Sequence, residues 1–317
     1  MTKKAIKLTT ICILLAFCAV NFAGCKPDNT QGKHPDNDGK VSVCTSFYVM
    51  YDFAEKIGGD KVILKNLLPA GADPHSWEPS PKDIVSIEKA DILIYNGAGM
   101  EGWIDKVLDS ISNAELITVE TSKDIKLLEV KDNAASKNND GHEHLYDPHV
   151  WLDPMKAQVQ MRAIVDAFIE VDSSNKDYYE KNYEHYVKEL EKLDDEYREA
   201  VSGFKKKDII VSHEAFGYLC DAYGLNQIAI SGLDAESEPT SARMVDVAKF
   251  AKDNNVKVIF FDKMVTPKIA DAIAKSAGAK TEVLNPIASL SIDDIRAGKD
   301  YFSVMRENLE ALKKALS

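Results

Sequence analysis

From Val41 onward, short apolar runs alternate with longer stretches of helical spacing. "VSVCTS", "KVILKNLLP", "DILIYNGA" and "AELITVETS" read as strands. Between them, "YVMYDFAEKIGG" reads as a helix stopped by Gly58 and Gly59, and "SPKDIVSIEKA" as one capped by Ser80 with Pro81 at its first position. "DILIYNGA" is apolar without alternation, the pattern of a parallel strand covered on both faces. The second half repeats the style with "KDIIVS", "LNQIAIS", "VKVIFFD" and "KTEVLN". Strands joined by crossover helices predict an α/β fold with mostly parallel sheets. At 317 residues the chain is long enough for two such lobes.

One stretch between the halves is different. In Asn175–Ser202, Tyr179, Tyr183, Tyr186, Leu190, Leu193, Tyr197 and Ala200 recur at steps of four and three. That is the stripe of a single sustained helix, about 42 Å long at 1.5 Å per residue. Ser174 is placed to cap it and Gly203 to end it. The pattern therefore predicts an N-terminal lobe over 41–174, a linking helix over 175–203 and a C-terminal lobe over 204–317. His185 falls off the stripe, on the solvated face.

The N-terminus follows other rules. Lys3, Lys4 and Lys7 precede the apolar run Leu8–Val20, which is short for a membrane span, and then "FAGC" ends at Cys25. Small residues before a cysteine resemble a lipobox, although Phe22 stands where leucine is usual. Residues 1–24 are thus expected to be a signal peptide. Residues 25–40 are expected to be a lipidated Cys25 followed by the polar tether "KPDNTQGKHPDNDGK". Ordinary secretion, with Cys25 incidental, is the alternative. The formal charge of −12 disfavours binding to phosphate backbones, so no nucleic-acid partner is expected. Cys44 and Cys220, far apart and among apolar residues, read as buried thiols.

Seven histidines remain to be explained. His34 lies in the tether, and His142 and His144 lie in the polar loop "SKNNDGHEHLYD". His75, His149 and His213 each follow a strand or a proline-restricted turn. His75 sits in "PAGADPHSWEPSP" among Pro69, Pro74, Pro79 and Pro81, and His149 in "YDPHVWLDP", so the same Asp-Pro-His unit occurs twice. His213 directly follows "KDIIVS", and Asp262 ends "VKVIFFD". Ligands of open α/β sheets bind beyond the carboxyl ends of the strands, where these four could converge. Three imidazoles and a carboxylate would suit zinc. A lone histidine is as readily a capping or packing residue.

These motifs, with "SFYVMYDFAEKIGGDKV", "LLPAGADPHSWEPSPKDI", "KADILIYNGAGMEGWIDKVL", "VSHEAFGYL" and "VLNPIASLS", resemble the metal-binding lipoproteins of bacterial zinc and manganese ABC importers, the cluster A-I (cluster 9) solute-binding proteins. The resemblance covers nearly all of Val41–Ser317. It implies two α/β lobes joined by one long helix, with metal bound in the cleft between them. It carries three ligands onto His75, His149 and His213, and the histidine in "SHEAF" points to the zinc branch, where manganese-type members have glutamate. The fourth position departs from the common "LDP", since "LNP" stands here with Asn285. Asp262 is then the expected donor, with water as the alternative. The family's His-rich loop is reduced here to "GHEHLYDPH", which makes His142 and His144 either secondary metal contacts or solvated loop residues.

The resemblance implies a monomeric, lipid-anchored extracytoplasmic receptor that delivers Zn2+ to the permease of an ABC importer, and not an enzyme. Alternatives are a manganese or iron receptor, a zinc hydrolase or a surface adhesin. For the hydrolase, "HEAFG" lacks the HExxH spacing that would place Glu214 as a general base.

Overall fold

The computed structural model describes residues 39–130, 145–233, 237–264 and 266–317. All of them belong to one compact unit, Pro35–Ser317. The signal segment, Cys25, His34, and His142 and His144 lie outside the described residues.

The first sheet contains β1 (Val41–Thr45), β2 (Val62–Asn66), β3 (Ile92–Tyr95) and β4 (Ile117–Glu120), all parallel, in the order β2-β1-β3-β4. Its helices are α1 (Tyr48–Gly58), α2 (Pro81–Glu88) and α3 (Ile104–Leu108). Alternate residues enter different cores. Val41, Val43, Ile92 and Ile94 join one apolar cluster, whereas Cys44 and Leu93 join another with Trp103 and Val107. Both faces are covered, which is why these strands read as unbroken apolar runs.

Two long helices follow, α4 (Pro154–Val171) and α5 (Lys176–Ser202). Helix α4 was not singled out from the sequence, although Ala157, Met161, Ile164 and Phe168 recur at steps of four and three. It is capped by Asp153, whose side chain accepts from the Met155 N–H, with Pro154 at its first position. Helix α5 has 27 residues, about 40 Å, and buries Tyr179, Leu190, Leu193 and Tyr197 as the stripe predicts. Its start differs from expectation. Ser174 lies in a 3-10 turn and donates to Asp172 at 2.6 Å, so it does not cap the helix. Gly203 ends α5 as expected, and His185 is exposed.

The second sheet contains β5 (Asp208–Val211), β6 (Asn226–Ala229), β7 (Val258–Phe261) and β8 (Lys280–Val283), again parallel, in the order β6-β5-β7-β8. Its helices are α6 (Gly217–Tyr223), α7 (Ser241–Asp253), α8 (Lys268–Ala277), α9 (Ile292–Arg296) and α10 (Tyr301–Leu316). One apolar cluster takes Ile94 and Val43 from the first sheet and Ile209, Val211 and Phe260 from the second, with Trp151, Phe168 and Leu193 between. Cys44 and Cys220 are buried and unpaired with each other, as read from the sequence.

Candidate metal centre

Each sheet reverses direction beside its first strand. β2 and β3 lie on opposite sides of β1, and β6 and β7 on opposite sides of β5. Such reversals leave a crevice at the carboxyl ends of the strands. In the second sheet the crevice receives His213 after β5 and Asp262 after β7, and the Asp262 N–H donates to Ser212 Oγ at 3.1 Å. In the first sheet the ends of β1 and β3 are clasped by buried Glu101. Its Oε1 accepts from Ser46 Oγ at 2.7 Å and the Asn96 N–H at 2.8 Å, and its Oε2 from the Gly97 N–H at 3.0 Å. Burial raises its carboxyl above the ordinary value, against the pull of these donors. The Asn96 side chain in turn donates to the Pro148 carbonyl at 2.9 Å and accepts from Gln160 at 2.8 Å, which anchors the loop that carries His149.

The repeated Asp-Pro-His unit is a single local device. Asp73 Oδ1 accepts the His75 N–H at 2.9 Å, and Asp147 Oδ1 accepts the His149 N–H at 2.9 Å. In each, the aspartate folds back on its own backbone two residues on, while proline fixes φ between them. Each unit then runs into a helix with a capping residue and a leading proline, Ser80–Pro81 for α2 and Asp153–Pro154 for α4.

Asp147 also accepts from His149 Nδ1 at 2.9 Å. A carboxylate can only accept, so Nδ1 carries the proton and Nε2 offers a lone pair. That Nε2 lies 3.3 Å from His75 Nε2. The rings of His149 and His213 are 5.7 Å apart between centroids, and His213 Nδ1 lies 3.9 Å from Asp262 Oδ2. His213 Nδ1 is buried without a hydrogen bond. Burial, and secondarily His149, push this imidazole down to about 3, so it is neutral at pH 7. Burial pushes Asp262 up to about 6. An unpaired buried imidazole nitrogen near a buried carboxylate is an arrangement a cation would stabilise.

His75, His213 and Asp262 line a cavity of about 400 Å³ with Asp73, Trp77, Met264 and Asn285, and fully buried His149 touches His75. The four expected residues thus come together. No group of three or more His, Cys, Asp or Glu is gathered at metal-holding spacing among the described residues. The four side chains form two pairs, His75–His149 and His213–Asp262, with the His149 and His213 rings adjacent. Asn285 is occupied otherwise: its Oδ1 accepts the Ile287 N–H at 2.7 Å, and its N–H and carbonyl both bond Asn308. Sequence reasoning missed Glu101, Asn96 and the second bond made by Asp147. The Asp in "DPH" was the available signal.

Two parallel α/β sheets, a long connecting helix and a cleft lined with histidine and carboxylate side chains from both halves define a solute-binding protein of the cleft type. The family model described as zinc-uptake complex component A, periplasmic, matches residues 43–315, and the chain belongs to that family. It is 39% identical over 306 residues to the high-affinity zinc uptake system protein ZnuA of Bacillus subtilis, covering 96% of each chain. It is 36% identical to the zinc-binding lipoprotein AdcA of Streptococcus pneumoniae, over 95% of this chain but 60% of that longer one. The Zn(II)-bound ZnuA-like domain of the same AdcA superposes with a TM-score of 0.76 at 37% identity, covering 88% of this chain and 99% of that domain.

Proposed function

We propose that this chain captures Zn2+ outside the cytoplasm and delivers it to the permease of a zinc ABC importer. His75, His149, His213 and Asp262 are the donors in this reading. The observation that carries it is the facing pair of Nε2 atoms at 3.3 Å. Zn–N bonds of about 2.0–2.1 Å at the tetrahedral angle hold two nitrogens about 3.3 Å apart. The 3.9 Å between His213 Nδ1 and Asp262 Oδ2 is wider than that, so in this reading the second pair must move to complete the set. Three imidazoles favour zinc over manganese, which prefers more oxygen. The lobes are taken as 41–174 and 204–317, joined by 175–203, and the receptor as a monomer anchored through Cys25.

The chain acts as a receptor and not an enzyme. Glu214, the carboxylate beside His213, does not line the cavity. The test is competition titration with a zinc chelator. His75→Ala, His149→Ala and His213→Ala should each lose at least about 100-fold in affinity, beyond the 10–100-fold typical of outer hydrogen-bond partners. Asp262→Ala should lose less, because three histidines and a water still make a competent zinc site. Unchanged affinity in any histidine variant removes that residue from the set. Turnover of esters or peptides that depends on the same residues would favour a hydrolase instead.

A further inference from the structure

The turn after β7 is held at its start by the Asp262 N–H, which donates to Ser212 Oγ at 3.1 Å. Asp262 Oδ1 accepts the Met264 N–H at 2.9 Å, which leaves Oδ2 directed at His213. The next residue, Lys263, reaches across to Asp294 near the start of α9, with Nζ 2.8 and 2.6 Å from the two carboxylate oxygens. Asp294 is itself fixed. It accepts from Ser291 Oγ at 2.5 Å, donates to that same oxygen through its N–H at 3.1 Å, and lies 3.2 Å from Lys299 Nζ. Lys299 in turn pairs with Glu307 on α10, and its carbonyl accepts from Tyr48 OH on α1 at 3.1 Å.

Exposed ion pairs contribute little, because solvent screens them and two long side chains must be ordered. Asp294 is only 5% exposed and holds both lysines at once. Its hold on Lys263 is therefore a candidate for real mechanical consequence. It ties the Asp262 turn to the segment that forms the far wall of the cleft, where Asn285, Pro286 and Ser289 lie.

We propose that Asp294 is a positioning residue for the fourth donor: through Lys263 it fixes the turn that presents Asp262, and so sets how tightly the cleft holds zinc. This rests on Asp262 being a metal donor, as read above. Positioning residues outside a coordination sphere change metal affinity by roughly 10–100-fold when lost. Asp294 acts at one remove further, so about tenfold is expected.

The experiment is a double-mutant cycle read by zinc competition titration and by stopped-flow release of zinc to a chelator. The proteins are wild type, Asp294→Asn, Asp262→Ala and the double variant. Lys263→Met is added because it cuts the tether while leaving Asp294 and the start of α9 intact. Asp294→Asn and Lys263→Met should each weaken zinc binding about tenfold, chiefly by faster release, and neither should weaken it further once Asp262 is alanine. The same loss with and without Asp262 would mean a merely structural role and would overturn the proposal, as would wild-type affinity in Lys263→Met. If Asp262→Ala itself binds zinc like wild type, the donor assignment fails and this inference falls with it. That result is distinct from an intact donor with an additive cycle.

Discussion

A metal-binding imidazole needs the correct nitrogen free, and in the proposed site Asp147 supplies that for His149. Removing the carboxylate frees the ring to flip. Asp147→Ala should therefore weaken zinc binding about 10–100-fold, as measured by chelator competition. Asn285→Ala makes the contrast. Its side chain closes a turn onto the Ile287 N–H, where φ is +65°, and the loss of one such bond costs roughly 0.5–1.5 kcal/mol of stability. Denaturation should register that change while zinc affinity stays nearly constant.

His213 also gives the metal-free protein a pH signature. Its folded value is pushed from 6.5 to about 3. Above 6.5 neither state carries the proton. Between about 3 and 6.5 the unfolded chain binds one that the folded chain refuses, so stability falls as pH drops through that window. At pH 5 the loss is on the order of 2 kcal/mol. Asp262 runs the other way. With its value raised from 3.8 to about 6, the folded chain keeps a proton the unfolded chain has released, and stability falls as pH rises through that range. His213→Gln abolishes only the first effect. Urea denaturation of metal-free protein at pH 7 and pH 5 should show a smaller drop in the variant than in wild type. An equal drop would mean His213 is not held neutral.

At the scale of elements, each Asp-Pro-His turn leads within a few residues to a helix that starts on a cap and a proline. For α2 the capping box is complete, with Ser80 and Asp83 bonding each other's backbone. Ser80→Ala should cost about 1 kcal/mol of stability, seen as a lower denaturation midpoint. Zinc affinity should change little, because the Asp73 bond to His75 lies upstream of the cap and survives. A large loss of affinity would show that the helix start, and not the Asp-Pro-His turn, places His75. Helix α6 contributes to the other turn through absence. A β-carbon at Gly217 would collide with Asp147 Oδ2, so the carboxylate that orients His149 needs glycine there.

The whole molecule is held as one body by the apolar cluster that both sheets share and by bonds between distant segments. Trp151, two residues after His149, donates to the Pro286 carbonyl at 2.7 Å and accepts from Tyr301 OH at 2.7 Å through its own carbonyl. The loop carrying His149 is thereby fastened to the far wall of the cleft. Lipidation at Cys25 is proposed from the sequence alone, with a polar tether expected to follow it. Cys25→Ala should release the protein from membranes in fractionation while leaving zinc binding at wild-type strength. A variant that stays in the membrane fraction would count against lipidation at that cysteine.

Period and punctuation determined much of this protein in advance. Unbroken apolar runs such as "DILIYNGA" encode strands covered on both faces, and the stripe from Tyr179 to Tyr197 encodes a helix with one buried side. Both are local consequences of backbone geometry and need no partner to be read. The Asp-Pro-His turns were legible for the same reason, since the bond spans two residues. Helix α4 was passed over although its pattern is local too: Ala157, Met161, Ile164 and Phe168 recur at steps of four and three and are all buried. Ser174 was not separable from a true cap, since a serine hydroxyl serves a neighbouring aspartate equally well. What the tertiary structure alone decided is the meeting of His75, His149, His213 and Asp262 from four separate segments. The 3.3 Å between His75 and His149, the neutral state of His213 and the grip of Asp294 on Lys263 depend on strand order and on burial. Those are set by packing between segments far apart in the chain, and no local pattern encodes them.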